Sequence, residues 1–425
     1  MQSEAVERHP DLISASWLAR QKSYGWLTIL IGAAAMACTY PGRTHGLGMV
    51  TEPLLKDLGL ADPDGRVLFA SLNLWGTILG ACLCLPIGWL FDRFDRRWVL
   101  AGNLVLLGGS VYWMSTVESW QALLIALILT RGLGQSALSV VSITIVAKSF
   151  RAQQLGLAMA WYAVLSIPFH LLLIKAVGWA LKDGGYDWRA IWAGVGVALI
   201  GMSFMAALLL RSIVAENVDE NESDKTGATF GQALSTPAFW AFSLTISLWG
   251  MIYSGVSLFN EDIFKEQGFS RDLYFDVLVL VTVIALASKF LFGWLTRFVP
   301  LTRLLSACLV VTAMSLAGLP RATEIWHVYL YGAAMGIASG AVALLFFATW
   351  GKLYGRRELG RIQGVAQMLT VLASAGGPLV FSLGKRSGGS YAAVFTTLSA
   401  IVAVLAVVVW FVPLPKFQST SEKST

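Results

Sequence analysis

Charged side chains are scarce in this sequence: Asp, Glu, Lys and Arg make up 13% of 425 residues, against 56% apolar types. Soluble domains carry about 25% charged residues. This balance, with a mean hydropathy of +0.67, excludes a chain whose surroundings are mainly water. Cysteine is also rare, and all four, Cys38, Cys82, Cys84 and Cys308, lie inside apolar stretches. Cys82 and Cys84 are too close on one helix for a disulfide framework or a metal site, so the cysteines read as packing residues. The signatures of catalysis are missing as well: there is no HExxH, no CxxC pair, no glycine loop ending in a phosphate-binding lysine and no nucleophile elbow. No enzymatic activity, cofactor or metal is expected. The net charge of +6 is spread over short segments between apolar runs instead of forming a patch, so nucleic acid is not an expected partner.

Long apolar runs are abundant. Reading them between polar breaks gives spans near 25–51, 66–91, 97–116, 119–148, 154–180, 188–211, 237–260, 273–297, 301–320, 324–352, 358–384 and 390–413. Lipid offers no partner to unpaired backbone groups, so each span is expected to be a helix. The predicted fold class is an all-α membrane protein of twelve transmembrane helices in two six-helix halves. With the N-terminus inside, the inner segments hold about twice as many Lys and Arg residues as the outer ones, which places both termini in the cytoplasm. The organisation expected is a cytoplasmic tail over 1–23, a first half over 24–211, an acidic linker over 212–236, a second half over 237–414 and a short cytoplasmic tail over 415–425.

The halves repeat. GWLFDRFDRRWVL from Gly88 recurs as GWLTRFVPLTRLL from Gly293, and Lys148-Ser149-Phe150 with Gly156 recurs as Lys352-Leu353-Tyr354 with Gly360. Two related bundles can pivot about one central site, as alternating access requires.

These residues resemble the major facilitator superfamily, whose signature after the second span is Gly-x-Leu-x-Asp-Arg-x-Gly-Arg-Arg. Gly88, Leu90, Asp92, Arg93, Arg96 and Arg97 match it, and Asp95 replaces the second glycine. The motif implies a tight loop in which a helix-end carboxylate, here Asp92, meets basic partners across the halves and latches one face. The plainer reading of Arg93, Arg96 and Arg97 is that they are topogenic charges. The second copy has Arg297 where the acid would fall. Four stretches, YPGRTHGLG, KSFRAQQLGLAMA, FGQALSTPAFW and SKFLFGWL, are similar to the monocarboxylate transporter and oxalate/formate antiporter group.

Four basic residues fall within the predicted spans away from their ends, Arg43, Arg131, Lys175 and Lys289, without an acidic residue in the central parts of those spans to neutralise them. An unpaired cation facing a cavity favours an anionic ligand. Arg43 follows Pro41 in a glycine-rich break, and the resemblance gives a basic residue there, and another at Lys289, a role in holding a carboxylate. The competing readings are a structural role with polar helix ends for Arg43 and snorkelling to the inner surface for Lys289. His45, Tyr162, Tyr253 and Gln367 complete the expected substrate-binding set, with Asn73, Gln135, Trp249 and Phe346 as possible cavity wall or helix packing. Arg131, in TRGLGQS, is read as structural or coupling, His170 as a coupling candidate, and Lys175 as a headgroup-level residue beside Trp179. The family's proton-coupling aspartate is replaced by Ala285. The expected activity is secondary transport of a small organic anion, a monocarboxylate, across the cell membrane by alternating access. Protons or a counter-anion are possible partners, and a monomer is expected. Phosphorylated-anion exchange and a non-transporting nutrient sensor are the alternatives.

Overall fold

The computed structural model describes residues 25–150, 152–182, 184–216, 227–388 and 390–415. The two expected tails, apart from residue 415, and most of the linker lie outside these residues. Within them the chain is helical, and the one isolated β-bridge pairs Gly227 with Gly355. The helices in chain order are α1 (Gly25–Gly42), α2 (Pro63–Ala81 continuing as Cys84–Arg93), α3 (Arg96–Met114), α4 (Trp120–Ser149), α5 (Ala152–Lys182) and α6 (Trp188–Glu216). The second half repeats the series with α7 (Pro237–Glu266), α8 (Arg271–Leu295), α9 (Leu301–Gly318), α10 (Ile325–Tyr354), α11 (Leu359–Gly388) and α12 (Ala392–Trp410). Among the described residues eleven of these are long and apolar enough to cross a membrane. The twelfth, α3, has 19 residues, but Arg96, Arg97 and Asn103 dilute its apolar run.

Neighbours within each half follow the same pattern. α2 packs on α4 and α3 on α6 in the first half, as α8 packs on α10 and α9 on α12 in the second. The duplication seen in sequence is therefore a duplication of packing. One apolar core is confined to the first half and includes Leu54, Leu104, Leu127 and Trp192. The other is continuous across the molecule: Ile29 and Ala33 of α1, Val146 of α4 and Met159 of α5 join Phe242, Leu305, Leu345 and Phe395 of the second half.

The halves meet where α2 crosses α11 and α5 crosses α8. Both crossings are made by the repeated glycines, and they meet crosswise: Gly88 packs on Gly360, while Gly293 packs on Gly156. A Cβ on Gly360 would stand 2.5 Å from the Gly88 carbonyl oxygen, and one on Gly293 would stand 2.9 Å from that of Gly156. Only a residue without a side chain allows backbones this close. These crossings define one end of the bundle, called here the crossing end.

The first span departs from the expected single helix over 25–51. Residues 25–37 are helical, a 3-10 turn occupies Tyr40–Gly42, Arg43 is extended at φ −100 and ψ 154, and a short helix restarts at Thr44–Gly48. Pro41 has no amide hydrogen to continue the ladder. Gly42 lies against the Thr130 carbonyl of α4 with no room for a Cβ. The break is therefore fixed by packing. α6 also runs five residues past its expected end at 211, to Glu216.

Candidate functional site

Arg43 sits at the break in α1, so its backbone leaves the helix where its side chain turns inward along α4. The guanidinium donates to Thr39 Oγ1 at 2.7 Å, to Ser139 Oγ at 3.2 Å and to Met36 Sδ at 3.3 Å. Every one of these partners is neutral. Arg43 is half-buried and has no ion pair among the described residues. Tyr162 and His170, both on α5, are near enough to feel its charge. Tyr162 is buried and shares a 3.0 Å hydrogen bond with Ser142, and His170 Nδ1 lies 2.8 Å from the Ser166 carbonyl. Little of the described hydrogen bonding satisfies the charge itself.

Beneath this break lies Arg131, 2% exposed, at the start of a π-helical turn over Arg131–Leu138. Its guanidinium donates to Asn73 Oδ1 at 2.5 Å, to Gln135 Oε1 at 3.0 Å and to the Gly42 carbonyl at 3.2 Å. Asn73 and Gln135, open between cavity wall and packing in the sequence, are thus engaged by Arg131. The clamp links α1, α2 and α4 and holds the carbonyl next to Arg43. Arg131 and Gln135, four residues apart, share one face of this turn.

In the second half, Lys289 is half-buried and makes no hydrogen bond or ion pair among the described residues. It lies on the same face of α8 as Gly293, which packs on α5, and about 6 Å along the axis from it. The Gly156–Gly293 crossing stands between Lys289 and the crossing end, where Lys352 already donates to the Thr296 carbonyl at 2.8 Å. No described contact joins Lys289 to Arg43. Tyr253 is 44% exposed and stacks on Trp249 at 6.0 Å, and Gln367 is buried on α11. Phe346 is buried against Phe347 and Trp350. The side chain of His45 lies outside the described residues. Lys175 is exposed beside Trp179 near the far end of α5.

Asp92 closes α2 at the crossing end. Its carboxylate accepts from the Gly360 amide at 2.9 Å and the Arg361 amide at 2.8 Å, the first turn of α11. It also pairs with Lys148 of α4 at 3.0 Å, both side chains being 4% exposed. The expectation that Asp92 meets basic side chains of the opposite half needs correction: across the halves it meets backbone amides, and the basic partner comes from its own half. A helix N-terminus offers unpaired donors and a partial positive charge, and so can hold a carboxylate in place of a basic side chain. Arg93 lies over the Trp89 ring at 4.8 Å and Arg97 pairs with Asp95 at 2.8 Å, so both serve their own loop; Arg96 is half-buried beside them.

Sequence reasoning passed over Lys148 and Glu358. Lys148 counted only as a topogenic charge and as one half of a repeat, yet it is buried with an acid at the end of α4. Glu358 precedes α11, pairs with Arg361 at 3.0 Å and accepts from the Phe230 amide, tying the segment before α7 to the crossing. The signal for Lys148 was its repeat partner Lys352; Glu358 had none. At the pseudo-equivalent crossing Arg297 is exposed, and no acid among the described residues caps α5 there. The two junctions are alike in backbone and unlike in charge.

The fold resembles those of several solved transporters. It matches the proton:xylose symporter XylE bound to 6-bromo-6-deoxy-D-glucose with a TM-score of 0.65 at 17% identity, over 94% of this chain and 98% of that one. The human organic anion transporter MFSD10 (TETRAN) aligns with a TM-score of 0.61 at 18% identity, covering 91% and 98%. FucP in the outward conformation aligns with a TM-score of 0.61 at 14% identity, covering 92% and 99%. At these identities the likeness is one of fold. No curated protein matches the sequence significantly. The sequence model described as Major Facilitator Superfamily matches residues 32–296 and 256–425. Spanning nearly the whole of both halves, that match shows that the chain belongs to the Major Facilitator Superfamily.

Proposed function

We propose that this transporter carries a small organic anion, a monocarboxylate, by alternating access, with Arg43 and Lys289 holding the carboxylate from opposite halves. The observation that carries the reading is the state of these two cations. Lys289 has no partner among the described residues, and Arg43 has only neutral ones. A cation kept in a low-dielectric bundle without an acid costs several kcal/mol, and an entering carboxylate offsets that cost at both ends at once. A cationic cargo would add to it.

The Asp92 junction supplies the latch. With the glycine crossings packed and Asp92 seated on α11, the crossing end is shut and the site opens toward the other face. Anion binding between Arg43 and Lys289 draws the far ends together, and the crossings then release. In this reading the crossing end and both termini are cytoplasmic, and the chain sits in the cell's inner membrane. Protons or a counter-anion drive the cycle, and the protein acts as a monomer.

Uptake of labelled monocarboxylates into proteoliposomes, measured with counterflow, tests the proposal. Accelerated exchange by unlabelled monocarboxylate is expected. Exchange driven only by phosphorylated anions, or binding without exchange, would contradict it.

A further inference from the structure

α9 and α12 leave a groove of about 520 Å³ between them, walled by Val310, Ala313, Met314, Ala403, Val407 and Trp410. Neither cation of the transport site lines it, nor does any residue of the crossings. Its serine is turned to structural use: Ser306 Oγ donates to the Ala406 carbonyl at 2.7 Å, and further along the same pair Ser399 Oγ donates to the Ala313 carbonyl at 2.8 Å, cementing the two helices. What remains facing outward is apolar, with Met314 69% and Val407 62% exposed. The alanines give the groove depth because they withdraw side-chain volume where the longer neighbours project.

At its crossing end the groove runs to Trp410 and the exposed Arg303, whose guanidinium stands 5.7 Å from the Trp410 ring centroid. Arg303 has no acidic partner among the described residues. An apolar channel ending in a tryptophan and an unpaired arginine has the chemistry of a lipid: a chain below, the polar interface at the tryptophan, an anion at the guanidinium.

We propose that this groove binds one anionic phospholipid of the leaflet at the crossing end, with an acyl chain along Ala313, Ala403 and Val407 and the phosphate on Arg303. A zwitterionic lipid fills the same groove but leaves the Arg303 charge less compensated, so selection between lipids rests on that residue. Site volume is of the order that holds a discrete ligand. The inference does not depend on which solute the transporter carries.

Native mass spectrometry of the purified full chain, titrated with phosphatidylglycerol, phosphatidylcholine or inorganic phosphate, tests it alongside thermal midpoints in each. One phosphatidylglycerol is expected to bind in preference to phosphatidylcholine, and inorganic phosphate alone to give no shift. Arg303→Gln should weaken phosphatidylglycerol binding about fivefold. Ala403→Phe, which fills the groove at an exposed position, should remove the preference while leaving the midpoint without added lipid unchanged. Equal binding of both lipids, an effect reproduced by phosphate alone, or unaltered selectivity in both variants would overturn the proposal.

Discussion

At the scale of single residues, the decisive contrast is between cations that are satisfied and cations that are not. Arg131 is as deep as any, but its fork is filled by Asn73, Gln135 and the Gly42 carbonyl. Lys cannot reproduce a planar fork bonded to three groups. Arg131→Lys is therefore expected to fold yet to raise the KM for uptake, by loosening the break that aims Arg43. Arg131→Ala should also lower stability, by about 3 kcal/mol, read as a fall in thermal midpoint. Equal KM for Arg131→Lys and the parent would rule out the positioning role. Arg43→Gln should reduce anion uptake about 30-fold or more, the loss expected when one partner of a desolvated charge pair is removed. Part of this was legible in the sequence: a basic residue beside a proline and glycines announces a broken helix with a charge at the break. The direction of the break and the neutral company of Arg43 were not legible, because they depend on where α4 packs.

At the scale of elements, the glycine crossings and the Asp92 cap hold the two halves together at the crossing end, and the proposed mechanism makes them the gate. The carboxylate at once pairs with Lys148 and satisfies two amides of α11. Asp92→Asn keeps the shape but halves the acceptor capacity and leaves Lys148 buried without a counter-charge. Cys84, buried beside Gly364 at this crossing, is a natural reporter. Its labelling by a maleimide should rise in Asp92→Asn and in Gly360→Leu relative to the parent, and unchanged labelling would separate the crossing from the gate. In the last turn of α7, Asp262 accepts from Lys385 at 2.5 Å and from the Tyr391 hydroxyl at 2.9 Å. These donors hold its carboxyl below the usual carboxylate range, Lys385 contributing most. A depressed acid contributes stability above its unfolded value and loses it as pH falls through the folded one. The tie between α7 and α11 should weaken below about pH 4, modestly because the pair is exposed and screened. A thermal midpoint for Asp262→Asn that follows the parent at every pH would exclude this tie.

At the scale of the whole molecule, the repeat in the sequence becomes a repeat of packing, and this is where the sequence was most informative. Gly88, Gly156, Gly293 and Gly360 were visible as two pairs in register, and the fold joins each member to the opposite pair. The pattern could be read because glycine is required wherever two helix backbones touch. The asymmetry between the crossings was half legible: Arg297 stood where an acid was due, but Lys148 as the partner of Asp92 could be identified only once α2 and α4 were seen side by side. Two bundles that share one core at one end and keep separate cations above it are suited to rocking about the site between those cations. The claim on which this account rests is that an anion is gripped by both halves together. Its most direct test is binding of a labelled monocarboxylate to the purified transporter, by scintillation proximity, in the parent, Arg43→Gln, Lys289→Gln and the double variant. The account predicts that either single change abolishes most binding and that the double change adds little. Binding that survives both substitutions, or losses that simply add, would contradict it.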